Sequence, residues 1–101
     1  MKLVSSKANG TLAHFDSFYE SVEKDAIINS TQISLYFALY YQWKLNRHIS
    51  PFEIKRDEIM KLAKISSRET FNKSMRVLHE EGYIKYFPSY NPEIKSMVCL
   101  K

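Results

Sequence analysis

Ile54-Lys55-Arg56-Asp57-Glu58-Ile59-Met60-Lys61-Leu62-Ala63-Lys64-Ile65-Ser66-Ser67-Arg68-Glu69-Thr70-Phe71 is the stretch whose reading decides the fold. Asp57 and Glu58 stand where acids favour a helix N-terminus. Ile59, Leu62 and Ala63 then form the apolar stripe of a helix of about two turns ending near Lys64. Ile65-Ser66-Ser67 is a tight turn, and Ser66 with Glu69 has the S-x-x-E spacing of a capping box, which predicts a second helix. The inward stripe of that helix is Phe71, Ser74, Met75 and Leu78. It runs into Leu78-His79-Glu80-Glu81-Gly82-Tyr83-Ile84, where Gly82 is placed to end it as the residue just past the helix.

Working outward, Phe52-Glu53-Ile54 alternates over a length that suits one short strand pairing. Before it, Asn29 is a good N-cap and Gln32 can reach back to the cap amide. The helix they open, over residues 30 to 46, carries one stripe of Ile33, Tyr36, Phe37, Tyr40 and Trp43. Leu35, Ala38, Leu39 and Leu45 make a second stripe, leaving Gln42, Lys44 and Asn46 wet. Pro51 stops it, because the residue before proline avoids the helical region. Phe15, Phe18, Tyr19 and Val22 predict an N-terminal helix over about residues 14 to 24. Downstream, Tyr83 to Phe87 reads as a strand and Pro88-Ser89-Tyr90-Asn91-Pro92 as a turn. A second strand, 94 to 100, has Ser96, Val98 and Leu100 on one face and Lys95, Met97 and Cys99 on the other. Residues 1 to 12 read as a flexible arm, 13 to 29 as the N-terminal helix and its linker, and 30 to 101 as the core of a single domain.

The 101 residues, of which 45% are apolar, suffice for one hydrophobic core. With only Gly10 and Gly82, the chain lacks the clustered glycines of a phosphate-cradling loop. The lone Cys99 forms no internal disulfide and no zinc ribbon. No apolar run approaches the ~20 residues of a membrane span, so the expected location is the cytoplasm. His14, His48 and His79 are too scattered for a metal motif, and His79-Glu80 lacks the second histidine of H-E-x-x-H. Cys99 has no signature of a nucleophile around it. The expectation is therefore a chain that is not an enzyme and has no catalytic residue, cofactor or metal. Fifteen basic against eleven acidic residues leave a net charge of +4, which permits a polyanionic partner without requiring one.

The order is helix, short strand, short helix, tight turn, longer helix ending in glycine, and hairpin. On residues 54 to 71 and the closing Leu78-to-Ile84 segment, the chain resembles a winged helix-turn-helix domain over about residues 30 to 101. More narrowly, Ile33-Ser34-Leu35-Tyr36 and Pro88-Ser89-Tyr90-Asn91-Pro92 look like small winged-helix proteins of bacterial mobile elements. Those are similar to the first domain of phage replisome organisers and plasmid replication initiators. The resemblance implies a mainly α fold with a small β-hairpin wing, here with an added N-terminal helix, and binding of double-stranded DNA with the second helix in the major groove. Subtracting its inward stripe leaves Ser67, Arg68, Thr70, Lys73 and Arg76 outward, with Asn72 on one flank. These residue types suit base edges: Arg and Lys pair with guanine, Asn with adenine, and Ser or Thr with either partner. Lys64 in the turn, Lys85 and Lys95 beside the hairpin and Tyr90 at its tip complete the expected contact set. Two positions depart from the family pattern: Lys55 replaces a small polar cap, and Glu93 in the wing would be repelled by DNA.

Each feature has a plainer reading. A basic helix face is commonly just solvated, and the aromatic residues, which fall mostly on helical stripes, read as core rather than as a base-stacking platform. Three roles stay open: sequence-specific binding in transcription regulation, DNA replication or recombination of a mobile genetic element, and a winged-helix surface that binds protein. The two apolar sides of helix 30 to 46 also predict a homodimer, built from the N-terminal helix and the region around Leu35, Leu39 and Tyr41. Such a dimer would set two reading helices ~34 Å apart on a palindromic site.

Overall fold

A computed structural model describes residues 9 to 91 and 94 to 101, with side chains from residue 14 onward. In chain order it forms α1 (Asn9–Glu23), α2 (Ser30–Leu45), β1 (Phe52–Ile54), α3 (Arg56–Ala63), α4 (Arg68–Glu80), β2 (Ile84–Phe87) and β3 (Ser96–Leu100). The fold is mainly helical, with a small antiparallel sheet in the order β1-β3-β2. The expected turn residues Pro92 and Glu93 lie outside the described residues, as do residues 1 to 8 of the expected arm. Residues 9 to 12 belong to α1, which starts ahead of the expected residue 14. Thr11-Leu12-Ala13 continues a helix-compatible sequence upstream, and Gly10 falls in the first turn, where it costs little.

Helix α2 is the spine of the domain. The Asn29 Oδ1 accepts hydrogen bonds from the N–H groups of Thr31 and Gln32, and the Gln32 Oε1 accepts one from the Asn29 N–H at 2.8 Å. The same Gln32 is buried, and its Nε2 donates to Ser74 Oγ of α4 at 3.3 Å. One side chain thus sets the start of α2 and its contact with α4. Leu35, Tyr36, Ala38, Leu39 and Tyr40 are buried, while Phe37, Tyr41 and Leu45 are exposed. This corrects the expected dimer surface: Leu35 and Leu39 have no exposed area and fill the monomer's own core, so of the three residues named for that contact only Tyr41 is outside.

Helix α1 covers the aromatic side of α2. Phe18 stacks on Tyr36 with ring centroids 3.7 Å apart, Phe15 packs on Tyr40, and His14 lies between Tyr36, Tyr40 and Trp43. His14 Nε2 and the Tyr36 hydroxyl are hydrogen-bonded. Burial, with Tyr40 beside it, raises the Tyr36 pKa and keeps its hydroxyl protonated. Tyr40 Oη and Trp43 Nε1 are buried in this seam without a hydrogen-bond partner among the described residues.

On the other side of α2 the core is closed by Ile59, Met60 and Ala63 of α3, by Phe71, Met75 and Leu78 of α4, and by Phe52, Ile54, Ile84 and Val98 of the sheet. Met60 takes the place expected for Leu62, which is 45% exposed. At 100° per residue the two lie at equal angles, ~80° either side of the Ile59–Ala63 line, so packing against α2 decides between them. Val98 is the hub of the sheet, opposite Phe52 of β1 and Tyr86 of β2.

Helix α4 ends as expected. Gly82, at φ +85°, sends its N–H to the His79 carbonyl, and the Tyr83 N–H reaches the Leu78 carbonyl at 2.9 Å. This is a Schellman ending, with a left-handed residue that glycine adopts without strain. Tyr83 turns inward and its hydroxyl donates to Asp25 Oδ2, tying the start of the hairpin to the α1–α2 loop. Burial and the Asp25 carboxylate push the Tyr83 pKa up to about 12.

Candidate nucleic-acid interface

The turn between α3 and α4 is made by Lys64, a non-glycine residue at φ +62°. The Ile65 N–H bonds the Met60 carbonyl at 2.9 Å and the Ile65 side chain is buried, so an apolar anchor holds Lys64 in the left-handed region. The Lys64 side chain is left exposed at the turn. Two residues later the chain re-enters a helix, and here the structure corrects the expected cap. The N-cap is Ser67, whose Oγ accepts from the Thr70 N–H at 3.2 Å. Glu69 therefore sits at the second helical position and makes no capping-box bond.

One candidate contact and one expected cap partner change character as a result. Ser67 has its oxygen committed to the cap. Glu69, expected to be withdrawn into the cap, is exposed in the first turn of α4. Its spacing to Lys73, Arg76 and Glu80 puts all four on the middle of the exposed face. Arg68, Thr70, Asn72, Lys73 and Arg76 are all exposed, while Phe71, Ser74, Met75 and Leu78 are sunk in the core. The acid at the second helical position also complements the positive N-terminal end of the helix dipole.

Between α4 and the hairpin lies a cleft of about 560 Å³. Asn72, Arg76 and His79 line it from the helix, Tyr86, Ser89 and Tyr90 from the hairpin, and Arg56 from the start of α3. The hairpin keeps its position partly through His79, whose Nδ1 accepts the backbone N–H of Tyr86. At the tip, Ser89 N–H donates to Ser96 Oγ at 3.0 Å, and Tyr90 is 93% exposed. Lys85 stands exposed on the outer face of β2, opposite Cys99. Lys95 is drawn the other way: its Nζ pairs with Glu53 of β1 at 3.7 Å.

The cations divide accordingly. Lys55, Arg56 and Lys95 have carboxylates within 4 Å. Among the described residues, no carboxylate pairs with Lys61, Lys64, Arg68, Lys73, Arg76 or Lys85. Solvated cations without an internal partner are the ones that can neutralise phosphate without first losing an ion pair. Arg56 and His79 are cleft residues that the sequence reading does not place in the contact set. Arg56 follows directly on β1, and His79 lies seven residues beyond Asn72 on the same helix face, a spacing that could have marked it. Among the described residues, no three His, Cys, Asp or Glu side chains gather as a metal site would require, and no helix is long and apolar enough to cross a membrane. No family model, no curated protein and no solved structure matches the chain.

Proposed function

We propose that the chain is a winged helix-turn-helix domain that binds double-stranded DNA in a sequence-specific manner and acts in transcription regulation, without catalytic activity. The observation that carries this reading is the combination on α4 of three exposed cations, free of ion pairs among the described residues, and a cleft toward the hairpin. Arg68, Lys73 and Arg76 face solvent, and Asn72, Arg76 and Tyr90 line the cleft or its rim. Inserted in a major groove, α4 would present Arg68 and Asn72 to base edges from its N-terminal half, where helix-turn-helix proteins read sequence. Lys64 and Lys85 would meet phosphates on either side and fix the docking without reading bases. Glu69, which repels phosphate, fits a groove contact with a cytosine amino group and adds discrimination rather than affinity.

Binding of the 101-residue chain to a randomised duplex library, followed by titration of selected and scrambled sites over a salt series, tests this directly. The expected result is a recovered consensus and an affinity that falls steeply as salt rises, because phosphate neutralisation releases counterions. Failure to hold any duplex at low salt would overturn it. Recovery of duplex without a consensus would reduce the reading to non-specific DNA binding.

A further inference from the structure

We propose that the exposed ridge of α2 is the contact between two copies of this chain, joined by a two-fold axis that passes between Phe37 and Tyr41. Phe37, Tyr41 and Leu45 recur every fourth residue, so their side chains form one continuous ridge along the helix, of the kind that packs into the grooves of a facing helix. They are 37%, 48% and 60% exposed, and Tyr19 of α1, 44% exposed, extends the ridge by packing its ring on Phe37. The ridge is on the side of α2 away from the core formed with α3, α4 and the sheet.

The charges around the ridge identify a second copy as the occupant. Helix α1 runs antiparallel to α2, since His14 packs on Trp43 while Phe18 packs on Tyr36. Its exposed acids Asp16, Glu20 and Glu23 share a shallow groove with Tyr19, and Glu20 and Glu23 lie toward the N-terminal end of the ridge. Lys44 and Arg47, both exposed, mark the opposite end. An apolar ridge with acids at one end and bases at the other is complementary to itself when turned end for end, which is the symmetry of an isologous dimer. Each copy would lay Glu20 and Glu23 against the other's Lys44 and Arg47 while Phe37 and Tyr41 interlock at the axis. The area is adequate: four half-exposed side chains of this size present roughly 400 Å². That is about half of the ~800 Å² that each partner contributes to a standard interface, with the charged rim supplying the remainder. This inference does not depend on DNA binding, since it uses none of the cleft or α4 residues.

Sedimentation equilibrium of the whole chain, without DNA, across the micromolar range tests it. The expected species has twice the 11.9 kDa mass of one chain. Tyr41→Asp, at an exposed position, should leave the helical circular dichroism unchanged and weaken association by at least about tenfold, a difference of ~1.4 kcal/mol. The decisive arm is charge exchange. A Glu20→Lys/Glu23→Lys chain and a Lys44→Glu/Arg47→Glu chain should each sediment as monomers, and an equimolar mixture of the two should recover the dimer. A monomer for the parent chain at every concentration would overturn the proposal. So would a dimer indifferent to Tyr41→Asp, or a mixture that stays monomeric.

Discussion

The Nδ1 of His79, in the last turn of α4, accepts the backbone N–H of Tyr86 at 3.1 Å. Strand β2 lies at the edge of the sheet, and this N–H points away from β3, so the histidine pairs a donor that the ladder leaves open. The bond requires a neutral imidazole with its proton on Nε2. It joins the helix that would read bases to the hairpin beside it.

His79→Ala should therefore loosen the hairpin without unfolding the domain. Loss of one partly exposed hydrogen bond corresponds to about 1 kcal/mol. Amide exchange at Tyr86 should accelerate well beyond that of Tyr83. His79→Asn, whose Oδ1 falls near the position of Nδ1, should retain most of the protection. Equal exchange at Tyr86 in parent and alanine variant would mean that the bond contributes nothing to holding the hairpin.

Moving the cap of α4 from Ser66 to Ser67 makes a second expectation. Ser67→Ala should lower thermal stability by about 1 kcal/mol, the usual cost of losing a side-chain N-cap. Ser66→Ala, one residue upstream, should be near neutral. Denaturant melts of the two single variants distinguish the caps, and the opposite ranking would restore Ser66.

The contact set makes a third. Arg68→Ala should cost about 1 to 3 kcal/mol at the preferred site and relax the preference at one base pair. Lys85→Ala should instead weaken all duplexes about equally and reduce the slope of log affinity against log salt by about one. Glu69→Gln should raise affinity for every duplex while narrowing the gap between preferred and scrambled sites. Binding isotherms at several salt concentrations check all three. Parental binding by both the Arg68 and Lys85 variants would move the recognition surface elsewhere.

The α1–α2 seam should be the acid-sensitive part of the molecule. Burial of His14, with His48 nearby, lowers its pKa below the ordinary 6.5. A histidine depressed in the folded state favours folding fully above 6.5. Its contribution is lost as pH falls from there through the lowered value, because the open form takes up the proton first. Trp43 is the only tryptophan and lies 5.1 Å from the His14 ring and 4.5 Å from the His48 ring, centroid to centroid. Its fluorescence should change below pH 6.5 before the helical circular dichroism does, and His14→Phe should remove the early transition. Coincident transitions by both probes in the parent chain would show that α1 does not open separately.

The element order and most of the inward stripes were legible in the sequence because they depend on local geometry. Asn29 with Gln32, the Phe71-to-Leu78 stripe and Gly82 all act within one or two turns of helix. What escaped was decided at longer range or by ties between neighbours. Ser66 and Ser67 are both competent caps, and a shift of one residue turned Glu69 from a cap partner into part of the exposed face. Met60 and Leu62 flank the same line at equal angles. Periodicity shows that α2 has two apolar sides without showing which one faces the larger core, so it does not place Leu35 and Leu39 inward. In the candidate site, Lys95 was grouped with the free cations because the pairing of β1 with β3, which brings Glu53 to it, spans more than forty residues. Arg56 and His79 gain their interest only once the hairpin closes a cleft against α4.

The central position of β3 has a kinetic consequence. Strands β1 and β2 do not pair with each other, and each finds its partner only in residues 96 to 100. The pairing of Phe52 with Val98 closes a long loop, a contact that forms slowly because its ordering entropy is lost before the sheet returns any stabilisation. Strand β2, by contrast, meets β3 through a hairpin, with Phe87 opposite Met97 only ten residues away, so that pair can form early. The β1–β3 pairing should therefore be the last part of the sheet to consolidate, in a step in which the hairpin docks its β3 edge on β1. Slowing that step would leave the facing edges of β1 and β3 open and Phe52 uncovered, so aggregation during refolding should follow the integrity of residues 96 to 100 more closely than that of any helix.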